Sequence, residues 1–318
     1  MDAGLVLGLA LALDLLFGEP PNRWHPVAWV GNFLAWGARR VPVSGRIGLL
    51  LSGALLLCLT LALTLALVVS LSRSFALEGW AGLLLQACLL KCAFSLRGLL
   101  GAAREVSQVL ASGELDQARR LVGWHLVSRP TQELSPHQVA SATVESVAEN
   151  LTDSVVAPIC FFLVAGLPGA WAYRVINTAD AMLGYRQGEL EYLGKAAARL
   201  DDLLNWIPAR LAGLGIVLGA WIAGESGRRA WQVMLRDRGL TRSPNAGWTM
   251  AAMAGALGIG LEKPGVYQLG GQLGGQLGGQ LGEDAPPGAG AIDRALRVTT
   301  AASGLFVAGS LAAALLWR

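Results

Sequence analysis

The chain contains long runs without a charged residue, and these runs limit what it can fold into. No charge lies between Arg46 and Arg73, and none from Val298 to Trp317. A helix needs ~20 mostly apolar residues to span the hydrocarbon core of a bilayer. Only 15% of the 318 residues are charged, against about 25% in soluble domains. We therefore predict an all-α, polytopic helical membrane protein with about 4–6 transmembrane or re-entrant helices and amphipathic helical loops.

A third uncharged run, Ser154 to Tyr173, contains Pro158 and Pro168. Proline lacks an amide hydrogen and kinks or ends a helix, so this run is either a kinked span or a re-entrant segment buried in protein. If it crosses the membrane, Asp153 and Asp180 lie on opposite sides and cannot share a site. We expect the run to be buried in protein near the site.

Three weaker apolar segments each contain one charge, namely Asp14, Lys91 or Arg210. The two basic side chains are long enough to reach the headgroup region, so they fit short spans without a special role. The carboxylate of Asp14 cannot reach far, so it either has a functional role or is a structural exception.

The basic residues cluster in loops around residues 39–46, 97–120 and 228–242. Cytoplasmic loops of membrane proteins are enriched in Lys and Arg. We therefore predict a multi-pass protein of the cell membrane whose active site faces the cytoplasm. The basic residues lie at membrane edges without a recognition motif, which argues against nucleic-acid binding.

The first candidate constellation is Glu145, Glu149 and Asp153. Their spacing of four residues stacks three carboxylates on one face of an α-helix. Such a face can simply be solvated, but this one runs directly into an apolar block at the membrane edge. A Mg²⁺ ion with substrate phosphates would compensate the charge. Asn150 lies in the same segment.

Two further constellations follow the third apolar run. Asn177 and Asp180 share a helix face and precede Tyr185, and Asp201, Asp202 and Asn205 form an acidic helical turn. The adjacent aspartates could hold Mg²⁺, or pair structurally with Lys195 and Arg199. The basic residues suited to hold phosphate are Arg129, Arg174, Lys195, Arg199 and Lys263.

Residues 268–282 repeat Gly-Gly-Gln-Leu. This low-complexity insert is predicted to be a flexible loop without chemistry. It is not a phosphate loop, because no Gly-Lys-Ser/Thr follows. Apart from it we predict a single domain from 1 to 318, with polar helical site-forming segments at 97–153 and 174–205.

Taken in order, the motifs resemble the CobD/CbiB family of adenosylcobinamide-phosphate synthases over nearly the whole chain. The stretches that carry the resemblance are Asp14 with Gly18-Glu19-Pro20 and His25-Pro26; Ser128 to Thr131; Glu145 to Asp153; Tyr173-Arg174 to Asp180; Arg199 to Asn205; and Leu261 to Gly265. The chain departs from the family pattern in three places. Glu19 replaces a usual Asp, Pro130 stands where an Asp is frequent, and Ser154 replaces a usual Gly.

The resemblance implies an amide-forming reaction of cobalamin biosynthesis. A propionate of adenosylcobyric acid, the corrinoid substrate, is joined to (R)-1-amino-2-propanol O-phosphate or to free aminopropanol. A carboxylate does not condense with an amine unaided in water, so ATP and Mg²⁺ are the expected cofactors, although the sequence contains no nucleotide motif. Expected partners are the two substrates, the lipid bilayer, a second copy of the chain and other late-pathway corrinoid enzymes.

We assign roles to the candidate residues as a hypothesis. The carboxylates supply Mg²⁺ ligands or a base for the amine, with Asp153, Asp180 and Asp202 as the metal ligands. The basic residues hold phosphate, and other polar residues bind substrate. The catalytic set is Glu145, Glu149, Asp153, Asp180, Asp201 and Asp202; the substrate-binding set is His25, Arg129, Asn150, Arg174, Asn177, Tyr185, Lys195, Arg199, Asn205 and Lys263.

Other classes of protein also have acidic helices at a membrane edge. A Mg²⁺-dependent phosphotransferase or prenyltransferase acting on a lipid phosphate fits the same residues. A non-enzymatic membrane sensor or transporter is a further alternative, although a transporter is expected to show repeated halves with broken helices, and the sequence shows no such symmetry.

Overall fold

The computed structural model of the protein describes residues 3–41, 45–74, 79–127, 130–185, 188, 190–263, 267–270 and 287–316. Over these residues the chain is helical almost throughout. In chain order the helices are α1 (Ala3–Phe17), α2 (Pro26–Ala38), α3 (Gly45–Ser74), α4 (Trp80–Lys91), α5 (Leu96–Ala111), α6 (Leu115–His125), α7 (Pro136–Leu151), α8 (Ala157–Leu183), α9 (Leu190–Leu193), α10 (Lys195–Leu204), α11 (Trp206–Ile222), α12 (Gly227–Asp237), α13 (Ala246–Leu257) and α14 (Ala289–Leu316). The remaining elements are a 3₁₀ turn (Asn22–Trp24), a π-helix (Thr152–Val156) and the strands β1 (Leu261–Lys263) and β2 (Tyr267–Leu269).

The predicted helical membrane protein is confirmed. Within the described ranges, four helical runs are long and apolar enough to cross a membrane, and α10 with α11 forms a fifth, interrupted candidate. The four runs are Gly45–Arg73, Trp80–Ala111, Pro136–Leu183 and Ala289–Leu316. Along α3, five leucines spaced four residues apart, from Leu51 to Leu67, are 47–70% exposed. An apolar stripe of this kind suits lipid better than water.

By its internal contacts the chain divides into two compact units. The first unit comprises Met1–Arg97, Asp153–Asn205 and Gly309–Arg318, and the second comprises Gly98–Thr152 and Trp206–Ala308. Each unit is therefore assembled from separate stretches of chain. The single domain predicted from the sequence stays a prediction.

The core of the first unit lies between α2, α3 and α8, with α9 and α10 packed against them. Buried residues of all five helices meet there, among them Leu34, Leu56, Ile176 and Leu193. The backbone of α9 approaches α3 at Gly53, where an added Cβ would lie 1.8 Å from the carbonyl oxygen of Leu193. This close packing holds α9, and with it the start of α10, against the helix pair.

Helix α8 is two helical arms that fold back on each other. Ala165 and Gly166 have non-helical backbone angles, with φ +63° and ψ −156° at Gly166. The rings of Phe161 and Tyr173 stack at 5.3 Å between centroids, although twelve residues of straight helix would separate them by ~18 Å. The run Ser154 to Tyr173 is therefore a helical hairpin with largely buried arms and a tip exposed at Val164, which agrees with the re-entrant interpretation of the sequence.

The second unit contains α7 and α11 to α13, joined by a short β-hairpin. Helix α7 begins with a capping box between Ser135 and Gln138, with Pro136 at its first position. Strands β1 and β2 pair antiparallel, with Leu261 opposite Leu269. The prediction of a flexible loop is therefore wrong at 268–269, which pair with β1 and pack on α13, whereas 271–282 lie outside the described residues.

Candidate functional site

A polar network of five side chains, two of them buried and three half-buried, lies in the first unit. The hydroxyl of Tyr173 donates to Asn205 Oδ1 at 2.9 Å and lies 3.4 Å from Asp153 Oδ1. Asn205 Nδ2 in turn donates to Asp201 Oδ2 at 3.0 Å. Asn177 Nδ2 donates to Asp201 Oδ1 at 3.2 Å. We call Asp153, Tyr173, Asn177, Asp201 and Asn205 the Tyr173 network.

The Tyr173 network is assembled by the α8 hairpin and by one turn of α10. The hairpin returns the chain so that Tyr173 meets Asp153, twenty positions earlier, at a separation that ~30 Å of straight helix would forbid. Asp201 and Asn205 are four residues apart on α10 and so face the same side. Both oxygens of Asp201 accept amide hydrogens, which fixes the carboxylate in one orientation.

Arg174, which follows Tyr173 on α8, presents an unmatched donor beside this network. Its Nη1 lies 3.5 Å from Asn177 Oδ1. Its Nε is buried and, within the described part of the chain, has no hydrogen-bond partner. A buried donor without a partner is costly, and a guanidinium fork matches phosphate or carboxylate oxygens. Arg174 therefore fits an anionic group of a substrate.

Three other predicted residues of the first unit, Asp180, Asp202 and Lys195, make contacts on their own or neighbouring helices. Asp180 folds over Gly184, where an added Cβ would lie 2.0 Å from Asp180 Oδ1, so only glycine tolerates this position before Tyr185. Asp202 lies 3.9 Å from the largely exposed Arg199. Lys195 pairs with Glu191 at 3.7 Å, and this lysine was expected to pair with an aspartate of α10.

The predicted stripe of three carboxylates, two of which lie in the second unit, differs from its prediction. Glu145 is buried and accepts from Ser141 at 2.8 Å and from Tyr267 at 2.7 Å, which ties the β-hairpin to α7. Glu149, by contrast, is exposed. The helix also changes to a π-helix at Thr152, so α-helical spacing no longer sets the direction of Asp153. The three carboxylates therefore do not form one uniform stripe.

Two more predicted residues of the second unit have local or unassigned surroundings. Asn150 donates back to Ser146 on its own helix at 2.9 Å. Lys263 is half-buried at the end of β1. Arg129 lies outside the described residues.

An ionic cluster in the first unit joins the buried Asp14 and Lys91 to the more exposed Glu19 and His25. Glu19 pairs with His25 Nε2 at 2.6 Å and with Lys91 Nζ at 2.8 Å. Asp14 lies 3.7 Å from Lys91 and accepts from the backbone amide of Arg97 at 2.9 Å, at the start of α5. The expectation that Lys91 reaches the headgroups is thus wrong, because its acidic partners are distant in sequence but close in the fold.

The environment of Glu19 strongly favours its ionised form. Burial opposes ionisation, but hydrogen bonds from His25, Lys91 and Ser95 outweigh it and lower the pKa of Glu19 from 4.5 to about 2. The Nδ1 atom of His25 accepts a hydrogen bond from the backbone amide of Val27 at 3.1 Å. The hydrogen that His25 donates to Glu19 is therefore on Nε2. His25 therefore caps α2 and binds Glu19. At this position, where the resemblance leads us to expect an Asp, Glu19 supplies the ionised carboxylate.

Among the residues that the structure describes, no group of three or more His, Cys, Asp or Glu side chains is placed to hold a metal ion. Magnesium in phosphate sites commonly takes only one or two protein carboxylates, and substrate phosphates and water complete its shell. The assignment of Asp153, Asp180 and Asp202 to Mg²⁺ therefore stays a prediction.

Sequence comparisons decide the family. The family model described as CobD/Cbib protein matches residues 7–299. The chain belongs to the CobD/CbiB family. It is 45% identical over 265 residues to a probable cobalamin biosynthesis protein CobD of Methanothermobacter thermautotrophicus, covering 83% of this chain and 86% of the relative. The corresponding protein of Dehalococcoides mccartyi is 42% identical over 85% of this chain and 87% of its own length. No solved structure matches the chain.

Several motifs of this CobD-family chain meet in the two polar clusters of the first unit. The motif of Asp14, Glu19 and His25 forms the ionic cluster with Lys91, and the motifs of residues 173–180 and 199–205 form the Tyr173 network with Asp153. Sequence reasoning missed Tyr173, Glu19 and Lys91 as members of these clusters. An uncharged Tyr and a lysine in an apolar helix gave no signal of their partners, although Tyr173 stands beside Arg174 in a family motif.

Proposed function

We propose that this protein is the adenosylcobinamide-phosphate synthase of cobalamin biosynthesis. It joins a propionate of adenosylcobyric acid to the amine of (R)-1-amino-2-propanol O-phosphate, or of free aminopropanol, by an amide bond. The family membership supports the pathway, and the named relatives are cobalamin biosynthesis proteins. The single observation that carries a site for this chemistry is the Tyr173 network with Arg174 beside it.

The network offers the two functions that the amine donor requires. Its ammonium group must lose a proton before the nitrogen attacks the propionate carbon, and a fixed carboxylate can accept that proton. Asp201 is such a carboxylate, because Asn177 and Asn205 hold both of its oxygens in place. The half-buried guanidinium of Arg174 would bind the phosphate of the donor, which orients the amine.

ATP and Mg²⁺ would supply the activation of the propionate, since a free carboxylate is a poor acceptor for an amine. The donor set fits such a group, because oxygen ligands suit Mg²⁺ and Arg suits phosphate. One or two of Asp153, Asp180 and Asp202 would hold the ion, with substrate phosphates and water completing its shell, and Arg174, Arg199 and Lys195 would hold phosphate. Glu145, Glu149 and Lys263 of the second unit stay candidates for the same roles.

We infer that the protein is a multi-pass protein of the cell membrane and that its site faces the cytoplasm. The apolar runs support the membrane, and the arginine-rich loops support the orientation. A cytoplasmic site would have direct access to ATP and to the phosphorylated amine. Self-association and contact with other corrinoid enzymes of the late pathway remain predictions.

The test is a reconstituted synthase assay with the full chain in lipid nanodiscs. Adenosylcobyric acid, aminopropanol phosphate, ATP and Mg²⁺ are supplied, and the amide product is measured by mass spectrometry. Asp201→Asn and Arg174→Gln are expected to lower kcat/KM by about 100-fold or more, the scale seen for general acid–base groups. Arg174→Gln should act less severely on the free amino alcohol, which carries no phosphate.

The matched control is Glu114→Gln, which changes an exposed carboxylate at the start of α6 and should leave activity unchanged. Equal rates for wild type and Asp201→Asn would remove Asp201 from catalysis. Turnover of a lipid phosphate without any amide product would instead support the phosphotransferase or prenyltransferase class.

A further inference from the structure

A wide surface cleft runs along α6 in the second unit. The cleft is open to the surface and has a volume of about 1170 Å³. Its lining residues lie between Asp116 and His125 on α6, and Thr131 and Gln132 also line it. Ligand pockets for drug-sized molecules are usually ~300–1,000 Å³. This cleft is therefore larger than an amino alcohol phosphate requires. Among the residues that the structure describes, no candidate inferred from the sequence lines it.

Trp124 is the most conspicuous side chain of the cleft, because it is 82% exposed. Trp80 is equally exposed, but it is the first residue of a run apolar enough to cross a membrane. Tryptophan is common at that position, where the headgroups solvate it. Helix α6 belongs to no candidate span in the described part of the chain, so Trp124 does not mark the end of a transmembrane helix. An indole held open over a large cleft is instead typical of a stacking surface for a planar ligand.

The charges of the cleft favour a ligand of low net charge. The guanidinium of Arg119 already makes hydrogen bonds within the protein, because its Nε donates to Leu134 O and its Nη1 donates to Asp116 Oδ1, both at 2.8 Å. Arg120 is the exposed arginine of this wall. The carboxylate of Asp116, also in the lining, would repel a triphosphate. The amides of Gln117 and Gln132 suit a ligand that is itself rich in amides.

We propose that the α6 cleft is the binding surface for the corrinoid substrate, with the indole of Trp124 packed on the macrocycle. A corrin ring with its fringe of amide side chains is broad, planar and weakly charged, which matches the volume, the open indole and the polar lining. Arg120 would pair with a carboxylate on the rim of the ligand. The identity of the ligand rests on the proposed function, whereas the existence of the site rests on the cleft.

The test measures binding without chemistry. Full-length protein in detergent is dialysed to equilibrium against cobyric acid, with ATP and aminopropanol phosphate omitted, and Kd is obtained from corrin absorbance. Trp124→Ala should weaken binding by about tenfold, in line with aromatic stacking contributions, and Trp124→Phe by less. Trp80→Ala, which removes an equally exposed indole, should leave Kd within about twofold of wild type.

Because Trp124 is exposed, its substitution should not unfold the protein, and Arg120→Gln gives a second, independent variant with weaker corrinoid binding. Unchanged Kd for both Trp124→Ala and Arg120→Gln would overturn the site. Loss of ATP binding with corrinoid binding intact would also overturn it and would assign the cleft to a nucleotide. Corrinoid binding that depends on Trp124 but yields no amide in the synthase assay would refute the proposed function and leave the cleft standing.

Discussion

At the scale of the residue, the contacts of Glu19 show how a carboxylate stays ionised next to a short apolar helix. It follows α1 directly and is surrounded by His25, Lys91 and Ser95, which together lower its pKa to about 2. His25 lies only six residues away, but Lys91 and Ser95 come from a stretch more than 70 residues later, so their contact with Glu19 is not evident from local spacing. The same holds for Asp14, whose second oxygen accepts backbone amides at the start of α5.

The lowered pKa of Glu19 predicts a pH-dependent contribution to stability. Because the folded pKa of about 2 lies below the ordinary 4.5, the ionised carboxylate contributes fully above pH 4.5 and its contribution is lost as the pH falls through about 2. Thermal unfolding of wild type and Glu19→Gln in detergent should therefore differ most near neutral pH. A difference in midpoint that stays constant down to about pH 2 would contradict the ion pairing.

At the scale of the element, the α8 hairpin decides which polar residues can meet. Its turn depends on Gly166, whose φ of +63° and ψ of −156° lie in a region open essentially to glycine. Near the turn, Gly169 lets the arms touch, since an added Cβ would lie 2.3 Å from Phe161 O. Two glycines and Pro168 thus permit the reversal that brings Tyr173 to Asp153.

Substitution of the turn glycine should loosen the whole site. Gly166→Ala forces an L residue into that region at a cost of ~1–3 kcal/mol, so we expect a lower unfolding midpoint and reduced synthase activity. Gly101→Ala is the matched control, because Gly101 lies inside α5 with nothing within 4 Å of an added Cβ, and Ala favours helix there. Equal destabilisation by both substitutions would argue against the strained turn.

At the scale of the whole molecule, the hairpin changes how the apolar runs are counted. The run Pro136–Leu183 has 48 residues and as one straight helix would measure ~72 Å, more than twice the ~30 Å hydrocarbon core. The reversal at Gly166 removes this conflict and returns the chain toward Asp153. Asp153 and Asn177 can therefore serve one site on one side of the membrane.

Cysteine accessibility tests this topology on a chain from which the four native cysteines have been removed. Ser154→Cys and Tyr185→Cys flank the hairpin and should both react with a membrane-impermeant maleimide from the same side. Arg46→Cys and Arg73→Cys, at the two ends of the α3 span, should react from opposite sides. Labelling of positions 154 and 185 from opposite sides would show that the segment crosses the membrane once.

The sequence by itself determined the helical membrane architecture, the polar segments and most members of the Tyr173 network. Charge-free runs, a helix cap at Ser135 and acidic spacing are local properties, so they can be read along the chain. Only the tertiary structure decided that Tyr173 joins Asp153 to Asn205, that Lys91 is neutralised by Glu19 and that Glu145 turns inward. Those contacts join residues twenty to more than one hundred positions apart, and they depend on where the backbone reverses and which helices pack together.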